Sequence, residues 1–456
     1  MAPKFGTSGL RGLVVELTPE LVTDYTRAFL RSCDRGTGLY VGRDLRESSP
    51  ALAGVVIAAA RAEGVDVTDC GALPTPALAM AAMAAGAAAM MVTGSHIPAD
   101  RNGLKFYTPQ GEITKADEAA ILAALGGAPG GGSGAFRQDV AAVEAYAARY
   151  RAAYAGTLAG LRIGVWQHSS VARDLMVQVL AECGAEVVPL GRSEVFIPVD
   201  TEAVEEEWRT AFVAWAAEHG LDAVVSTDGD ADRPLMADGV GRVVPGDVLG
   251  ALTADALGAG RVVTTVSANT CIDLTGRFAV ERTKIGSPFV IAAMQAGAAR
   301  VVGYEPNGGF LLGFAARGPA GPLLPLMTRD CLLPVLAPLA EARRRGLSVA
   351  ALVRTLPPRF TATLRLQGVE PAAAKAFLSG LEADAGALLA AAGLGPLAAV
   401  DRTDGWRAQD AWGEILHLRP SGNAPEFRVY AEAQGEARAG EIAARALGFV
   451  EGALKG

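Results

Sequence analysis

Short apolar runs alternate with helical stretches from the N-terminus to about residue 345. That alternation restricts the chain to sheets of largely parallel strands with helices packed between them. The runs at 39–42, 65–70, 161–166, 186–190, 223–226, 262–266 and 300–304 are rich in valine and short enough for strands. Helices are expected over about 19–32, 51–63, 140–155, 172–183, 201–219 and 289–296, the first capped by Thr18 with Pro19 in its opening turn. The run 84–92 reads as a buried strand or tight helix, and 329–345 as a long helix that Pro334 and Pro338 should kink. The last hundred residues differ. Strands at 361–366, near Trp406, at 415–418 and at 427–430, with helices over 372–391 and 435–454, describe a smaller α+β unit. Gly126 to Gly134 reads as a linker.

A chain of 456 residues at ~100–200 residues per domain holds several domains. The expected divisions are 1–135, 136–242, 243–348 and 349–456, three similar mixed α/β domains and a C-terminal α+β domain around a cleft. In each α/β unit one polar loop follows a strand, and ligands bind at the carboxyl ends of strands in such sheets.

Composition narrows the partners. Hydrophobic residues are 50% of the chain and charged residues 20%, which is enough for large cores. The net charge of -8 argues against nucleic acid and anionic membranes, since phosphate-backbone affinity needs clustered cations. Five cysteines are scattered with no C-x-x-C pair, as expected of reduced thiols in a cytoplasmic protein. The alanine-rich stretch 72–92 contains Pro74, Pro76 and Gly86 and reads as a buried α/β element rather than a membrane span.

Asp228-Gly229-Asp230-Ala231-Asp232-Arg233 is the strongest chemical signal. Alternating carboxylates on a tight turn repel one another unless a hard cation neutralises them, and an all-oxygen set suits Mg²⁺. An EF-hand is excluded because Arg233 occupies the glycine position and Gly239 the bidentate glutamate position. An acidic surface turn is the alternative.

Thr93-Gly94-Ser95-His96-Ile97-Pro98 leaves the 84–92 run as a presented loop, with Lys105 ten residues beyond Ser95. The G-x-S-x-G elbow is absent. With a Mg²⁺ loop elsewhere, phosphoryl transfer at the Ser95 hydroxyl is the natural chemistry, with His96 and Lys105 as acid, base or phosphate contacts. No Walker A sequence is present, which disfavours a nucleotide-dependent kinase. Phe5 to Gly12 forms a glycine-rich, donor-rich loop without the spacing of a dinucleotide fingerprint, and Arg11 in it can hold an anion. Arg419-Pro420-Ser421-Gly422-Asn423 makes a cradle for a dianionic phosphate. Glu305-Pro306-Asn307-Gly308-Gly309-Phe310 offers an acceptor and an amide to a hydroxyl-rich ligand. Taken singly, each of the last three is equally an ordinary loop. His168, His219 and His417 lack metal-ligand spacing and read as structural.

Taken together, these motifs resemble the α-D-phosphohexomutases, over essentially the whole chain and in that family's order. Gly6 to Gly12 is similar to its N-terminal loop, and Thr93 to Pro98 to its phosphoserine loop, usually T-A-S-H-N-P. Asp228 to Arg233 matches its metal loop. Tyr304 to Phe310 sits at its G-E-x-S-G-H loop, and Arg419 to Pro425 at its R-x-S-G-T-E-P loop. The resemblance implies a TBP-like C-terminal domain and a reversible transfer. Phosphorylated Ser95 gives its phosphoryl group to a hexose monophosphate, forming a bisphosphate, and recovers the other phosphate after the intermediate turns over.

The resemblance further implies that Asp228, Asp230, Asp232 and a phosphate oxygen on Ser95 hold Mg²⁺, with hexose 1,6-bisphosphate as activator. Arg11 and Lys105 would lie near the transferring group, Glu305, Asn307 and Gly308 at the sugar, and Arg419, Ser421, Gly422 and Asn423 at the distal phosphate. His96 and Arg233 complete the catalytic set, and Arg428 the substrate-binding one. Departures fall at Phe310, read as replacing the sugar-loop histidine, at Asn307 for serine, at Asn423-Ala424, and at Ser287, where some members place histidine. The combination resembles bacterial phosphomannomutases. A phosphoglucomutase or dual-specificity enzyme is the alternative within the class, and a catalytically silent sugar-phosphate binding protein the alternative outside it.

Overall fold

The computed structural model describes residues 3–6, 9–297, 300–420 and 426–455. Three sheets share one plan. In the second, Glu186–Leu190, Arg162–Trp166 and Ala223–Thr227 run parallel in that order, and the last folds back antiparallel onto Pro234–Asp238. In the third, Ala279–Thr283, Arg261–Thr265 and Val301–Tyr304 run parallel, and the last returns antiparallel through Phe310–Leu312. The first sheet repeats the order with Val67–Ala72, Leu39–Arg43, Ala88–Val92 and Arg101–Thr108. It is extended by Leu10–Leu13 at one side and Phe136–Gln138 at the other. In each sheet the hairpin turn after the third parallel strand is one of the polar loops: 93–100, 228–233 and 305–309. The plan therefore puts three chemically distinct turns at equivalent carboxyl ends of strands.

The central strands form where expected because their apolar runs are buried on both faces, while the edge strand Glu186–Leu190 is only partly covered. Ala88–Val92 and Ala223–Thr227 are buried at every position, the pattern of a central parallel strand. The ambiguous alanine-rich stretch resolves into a helix, Thr75–Ala84, followed by the strand Ala88–Val92. Leu10–Leu13, expected as part of a loop, is a strand paired with Arg101–Thr108. The glycine stretch 126–134 is not a free linker. Gly132 and Gly134 donate backbone bonds to Ala62 and Arg61, so it lies along the end of the helix Ser49–Ala62.

Two expected helices begin later than their patterns suggest. The helix after 201 starts at Glu206, because the Thr201 hydroxyl is used across domains, donating to the Asn307 carbonyl at 2.8 Å. The long helix spans Leu333–Arg345 rather than starting at Arg329. Pro334 lies in its first turn, where no N–H is needed, and Pro338 is accommodated in a turn buried on all sides. Arg329 and Asp330 end the strand Leu326–Asp330 instead. The helix expected over 372–391 is two, Pro371–Ala383 and Gly386–Ala392.

The fourth sheet is wholly antiparallel, in the order Phe360–Gln367, Glu426–Ala433, Ile415–Pro420, Trp406–Asp410, Leu397–Asp401. Its core, with Trp406, Phe427 and Ile442, is separate from the cluster that runs through Tyr146, Tyr150 and Leu336 and joins the three α/β units. The fourth unit is tied on by polar contacts: the Asn269 amide to the Arg359 carbonyl, Thr270 with Glu432, and the Ile285 amide to Asp404. No helix among the described residues is long and apolar enough to cross a membrane.

Candidate active site

The Ser95 turn is wrapped around a buried arginine. Arg46 donates to the carbonyls of Ser95 (2.9 Å), Ile97 (2.6 Å), Pro98 (2.7 Å) and Arg101 (2.9 Å), and its Nε pairs with Asp44 at 3.1 Å. Thr93 Oγ1 donates to Asp44 and accepts from the Ser95 amide, both at 2.7 Å. Ser95 is held at φ 53°, a left-handed conformation rare for a residue with a side chain. That turn aims its hydroxyl out of the first domain, where Oγ donates to Asp228 Oδ2 of the second at 2.6 Å. His96 Nδ1 stands 3.3 Å from the same Oγ. Burial and the cations Arg233 and Arg11 push His96 well below its ordinary pKa, so the imidazole is neutral.

Asp228, Asp230 and Asp232 are fully buried, with a ligand atom from each within 4.8 Å of the others. Lys105 Nζ lies 2.6 Å from both Asp230 Oδ2 and Asp232 Oδ2. Thr75 adds its hydroxyl to Asp230 Oδ2 at 2.5 Å. Asp230 Oδ1 and Asp232 Oδ1 are buried with no hydrogen-bond partner. Burial and its two neighbouring carboxylates push Asp228 well above the usual carboxylate range. Burial alone would raise Asp232 too, but Arg329, Lys105 and Arg233 hold it well below that range. Orphaned oxygens beside a carboxylate that resists ionisation are the electrostatic demand a divalent cation answers, so this oxygen-only set fits a hard metal ion.

Arg11 reaches the site by strand register. It stands opposite Gly103, two residues from Lys105, so both side chains share a sheet face. Burial and Arg233 lower the Arg11 guanidinium to about 10, which still leaves it charged. Arg233 is 8% exposed, and its Nε has no hydrogen-bond partner.

In the loop 305–309, Asn307 Oδ1 accepts from the Gly309 amide at 3.0 Å and Gly308 turns the chain at φ 89°, leaving Glu305 buried with its pKa raised by that burial. The assignment of Phe310 to the histidine position is corrected. Phe310 is fully buried in the strand Phe310–Leu312 and stacks on Tyr304, and counted from Glu305 the motif's histidine falls on Gly309. A side chain on Gly309 would begin 2.9 Å from Arg329 Cδ, so the stem of Arg329 takes that space. Ser287 donates to Glu112 at 2.7 Å.

In the fourth domain Arg419 pairs with Asp404 at 3.1 Å. Arg428 stands directly opposite Arg419 on one side and Arg365 on the other. Like charges in register destabilise a sheet, so this row favours an anion. Ser421, Gly422 and Asn423 lie outside the described residues.

Several side chains here went unsingled in the sequence. Arg329, 2% exposed, reaches Asp232 Oδ2 (2.8 Å) and Glu112 Oε1 (3.2 Å), joining the third domain to the other two. A charged Arg-Asp pair inside the apolar run 323–340 was its signal. Arg46 belongs to the charged turn 43–47 at a strand end, where position alone invites attention. Glu202, exposed to solvent beside Thr201, lies within electrostatic reach of Arg233 and Arg428.

Four family models match the chain in order. They are the phosphoglucomutase/phosphomannomutase alpha/beta/alpha domains I (residues 2–127), II (143–241) and III (245–360), and the C-terminal domain (371–448). The chain belongs to the phosphoglucomutase/phosphomannomutase family. A phosphomannomutase of Sinorhizobium fredii is 43% identical over 100% of both chains. One of Salmonella muenchen is 41% identical over 99% of this chain and 96% of its own. A phosphoglucomutase/phosphomannomutase family structure from Burkholderia thailandensis superposes with TM-score 0.78 at 21% identity, covering 98% of this chain and 97% of its own, a likeness of fold.

Proposed function

We propose that this chain is a phosphomannomutase, interconverting mannose 6-phosphate and mannose 1-phosphate through phosphorylated Ser95 and a hexose 1,6-bisphosphate. The carrying observation is Ser95 Oγ at 2.6 Å from Asp228, on a strained turn aimed into a buried acidic triad. The choice of mannose draws on the relatives at 43% and 41% identity.

Asp228, Asp230 and Asp232 are the groups that would hold Mg²⁺, and the bound ion would stabilise charge on the phosphoryl oxygens. In the forward half-reaction a sugar hydroxyl oxygen bonds to phosphorus as the bond from phosphorus to Ser95 Oγ breaks, and the hydroxyl proton passes to a base. With the Ser95 hydroxyl proton given to Asp228, the neutral His96 imidazole beside Oγ can donate an Nδ1–H to it in the unphosphorylated state. Arg11, Lys105 and Arg233 surround the reacting group with positive charge. Glu305, Asn307 and Gly308 form the sugar-facing turn. The Arg419–Arg428 row holds the distal phosphate, a role the sequence motif extends to Ser421, Gly422 and Asn423. The unpaired thiols suit a cytoplasmic enzyme.

The test is intact mass with turnover. Wild-type protein incubated with mannose 1,6-bisphosphate should gain one phosphate, and Ser95→Ala should neither gain it nor turn over. Undiminished turnover in Ser95→Ala would overturn the mechanism. Rates on mannose, glucose and glucosamine phosphates, each with its own bisphosphate, decide the sugar.

A further inference from the structure

We propose that Arg46 and Phe196 form a positioning clamp that fixes the Ser95 turn of the first domain against the metal loop of the second. The proposal rests on the reading of Ser95 as the phosphoryl carrier. Arg46 supplies half of the clamp. Its guanidinium bonds four carbonyls of the turn and lies so close to Gly94 that a Cβ there would stand 2.7 Å from Cζ. The bare backbone at Gly94, where the family motif usually has alanine, is what lets the cation approach.

Phe196 supplies the other half. Its ring sits over the guanidinium, with Cζ 4.0 Å from the ring centroid. The same ring presses on the metal loop: a Cβ on Gly229 would meet Phe196 Cε2 and Cζ at 3.0 Å, and the Ser95 carbonyl also at 3.0 Å. One aromatic ring thus fills the seam where Arg46, the Ser95 backbone and Gly229 converge. It is half-buried and belongs to none of the apolar cores, although the neighbouring Ile197 packs against one of them. The segment that follows the ring is tethered twice. The Ile197 amide donates to Ser169 Oγ at 2.7 Å, and Thr201 bonds the sugar loop.

A left-handed serine relaxes if its surroundings loosen, because the conformation is costly for a residue with a side chain. Four carbonyl bonds hold the turn from within the first domain, and the ring transmits that hold to the second. Loss of the ring therefore shifts Oγ relative to Asp228 without touching the sugar or the distal phosphate, and small misplacements of a reacting atom cost rate rather than binding.

Phe196→Leu keeps apolar bulk and loses the π face; Phe196→Tyr keeps both. With mannose 1-phosphate and its bisphosphate, Phe196→Leu should lower kcat about tenfold, ~1.4 kcal/mol, and leave KM within about twofold. Phe196→Tyr should restore kcat. Phosphoenzyme prepared with labelled phosphate and left without sugar should lose it to water faster in Phe196→Leu. There a water oxygen bonds to phosphorus, the bond to Oγ breaks, and Oγ keeps a proton from that water. Wild-type kcat in Phe196→Leu, or an equal loss in Phe196→Tyr, overturns the clamp. Amide hydrogen exchange over 94–97 reads the clamp even in a protein that does not turn over. Faster exchange there in Phe196→Leu is expected, and unchanged exchange refutes the clamp whatever becomes of the catalytic reading.

Discussion

Replacing Arg329 with methionine should make the protein less stable and its metal site tighter at once. The guanidinium lies 2.8 Å from Asp232 Oδ2 and 3.2 Å from Glu112 Oε1, with side-chain exposures of 2%, 1% and 7% for the arginine and its two partners. Removing one partner from a pair so buried leaves bare charge and costs ~3–5 kcal/mol. Asp232 Oδ1 and Asp230 Oδ1 remain open to a cation, and the guanidinium repels any cation placed there. A unit charge and a divalent ion roughly 5 Å apart repel by roughly 2 kcal/mol even at the dielectric of water, so relief should tighten binding at least about tenfold. The assay is calorimetric titration of Mg²⁺ into wild-type and Arg329→Met protein, beside urea unfolding in EDTA. Because multi-domain chains commonly depart from two-state unfolding, the loss is read in the transition that carries the α/β core. Equal or weaker Mg²⁺ binding in Arg329→Met would refute the placement of this cation at the metal loop.

Two further outcomes are expected. Burial raises the Asp247 carboxyl to about 6 in the folded chain, so the folded state binds the proton more tightly than the unfolded one. Its stabilising contribution is full below about pH 4 and falls away as pH rises to 6, by roughly 3 kcal/mol. His168 and His417, pushed down to about 4 by burial, act with opposite sign over part of that window. Urea midpoints of Asp247→Asn against wild type, compared at pH 4 and pH 7, isolate the carboxylate: the variant should gain on wild type as pH rises. Arg419→Ala should raise the KM for sugar phosphate about tenfold or more as a charge-assisted contact is lost, with kcat less affected; steady-state kinetics with an unchanged KM would count against that role.

Much of the site was legible because its loops interrupt strong local patterns. The turn 228–233 follows a strand that is apolar or small throughout, and three carboxylates at the end of such a strand have no bland reading once they are buried. What stayed hidden depends on contacts distant in the chain. Glu202 reads as the first turn of a helix in the sequence, and only the bond from Thr201 to the Asn307 carbonyl shows why the helix starts later. Arg329 was absorbed into a helical pattern that the strand Leu326–Asp330 overrides. The glycines at 126–134 carry every mark of a flexible connection, and only the carbonyls of Arg61 and Ala62 show that they are bound. Phe310 was misplaced by a count of one, and its burial reveals the slip.

The backbone at Ser95 also settles why the hydroxyl here belongs to serine. Threonine carries a hydroxyl of equal chemistry and accepts a phosphoryl group as readily. At φ 53°, however, a second branch on Cβ collides with the chain, and β-branched residues are genuine outliers there. The turn that aims the oxygen thus closes the position to a substitution one methyl group away. Exchange of serine for threonine, conservative by any table of side chains, meets here the strain of the very backbone that aims the oxygen.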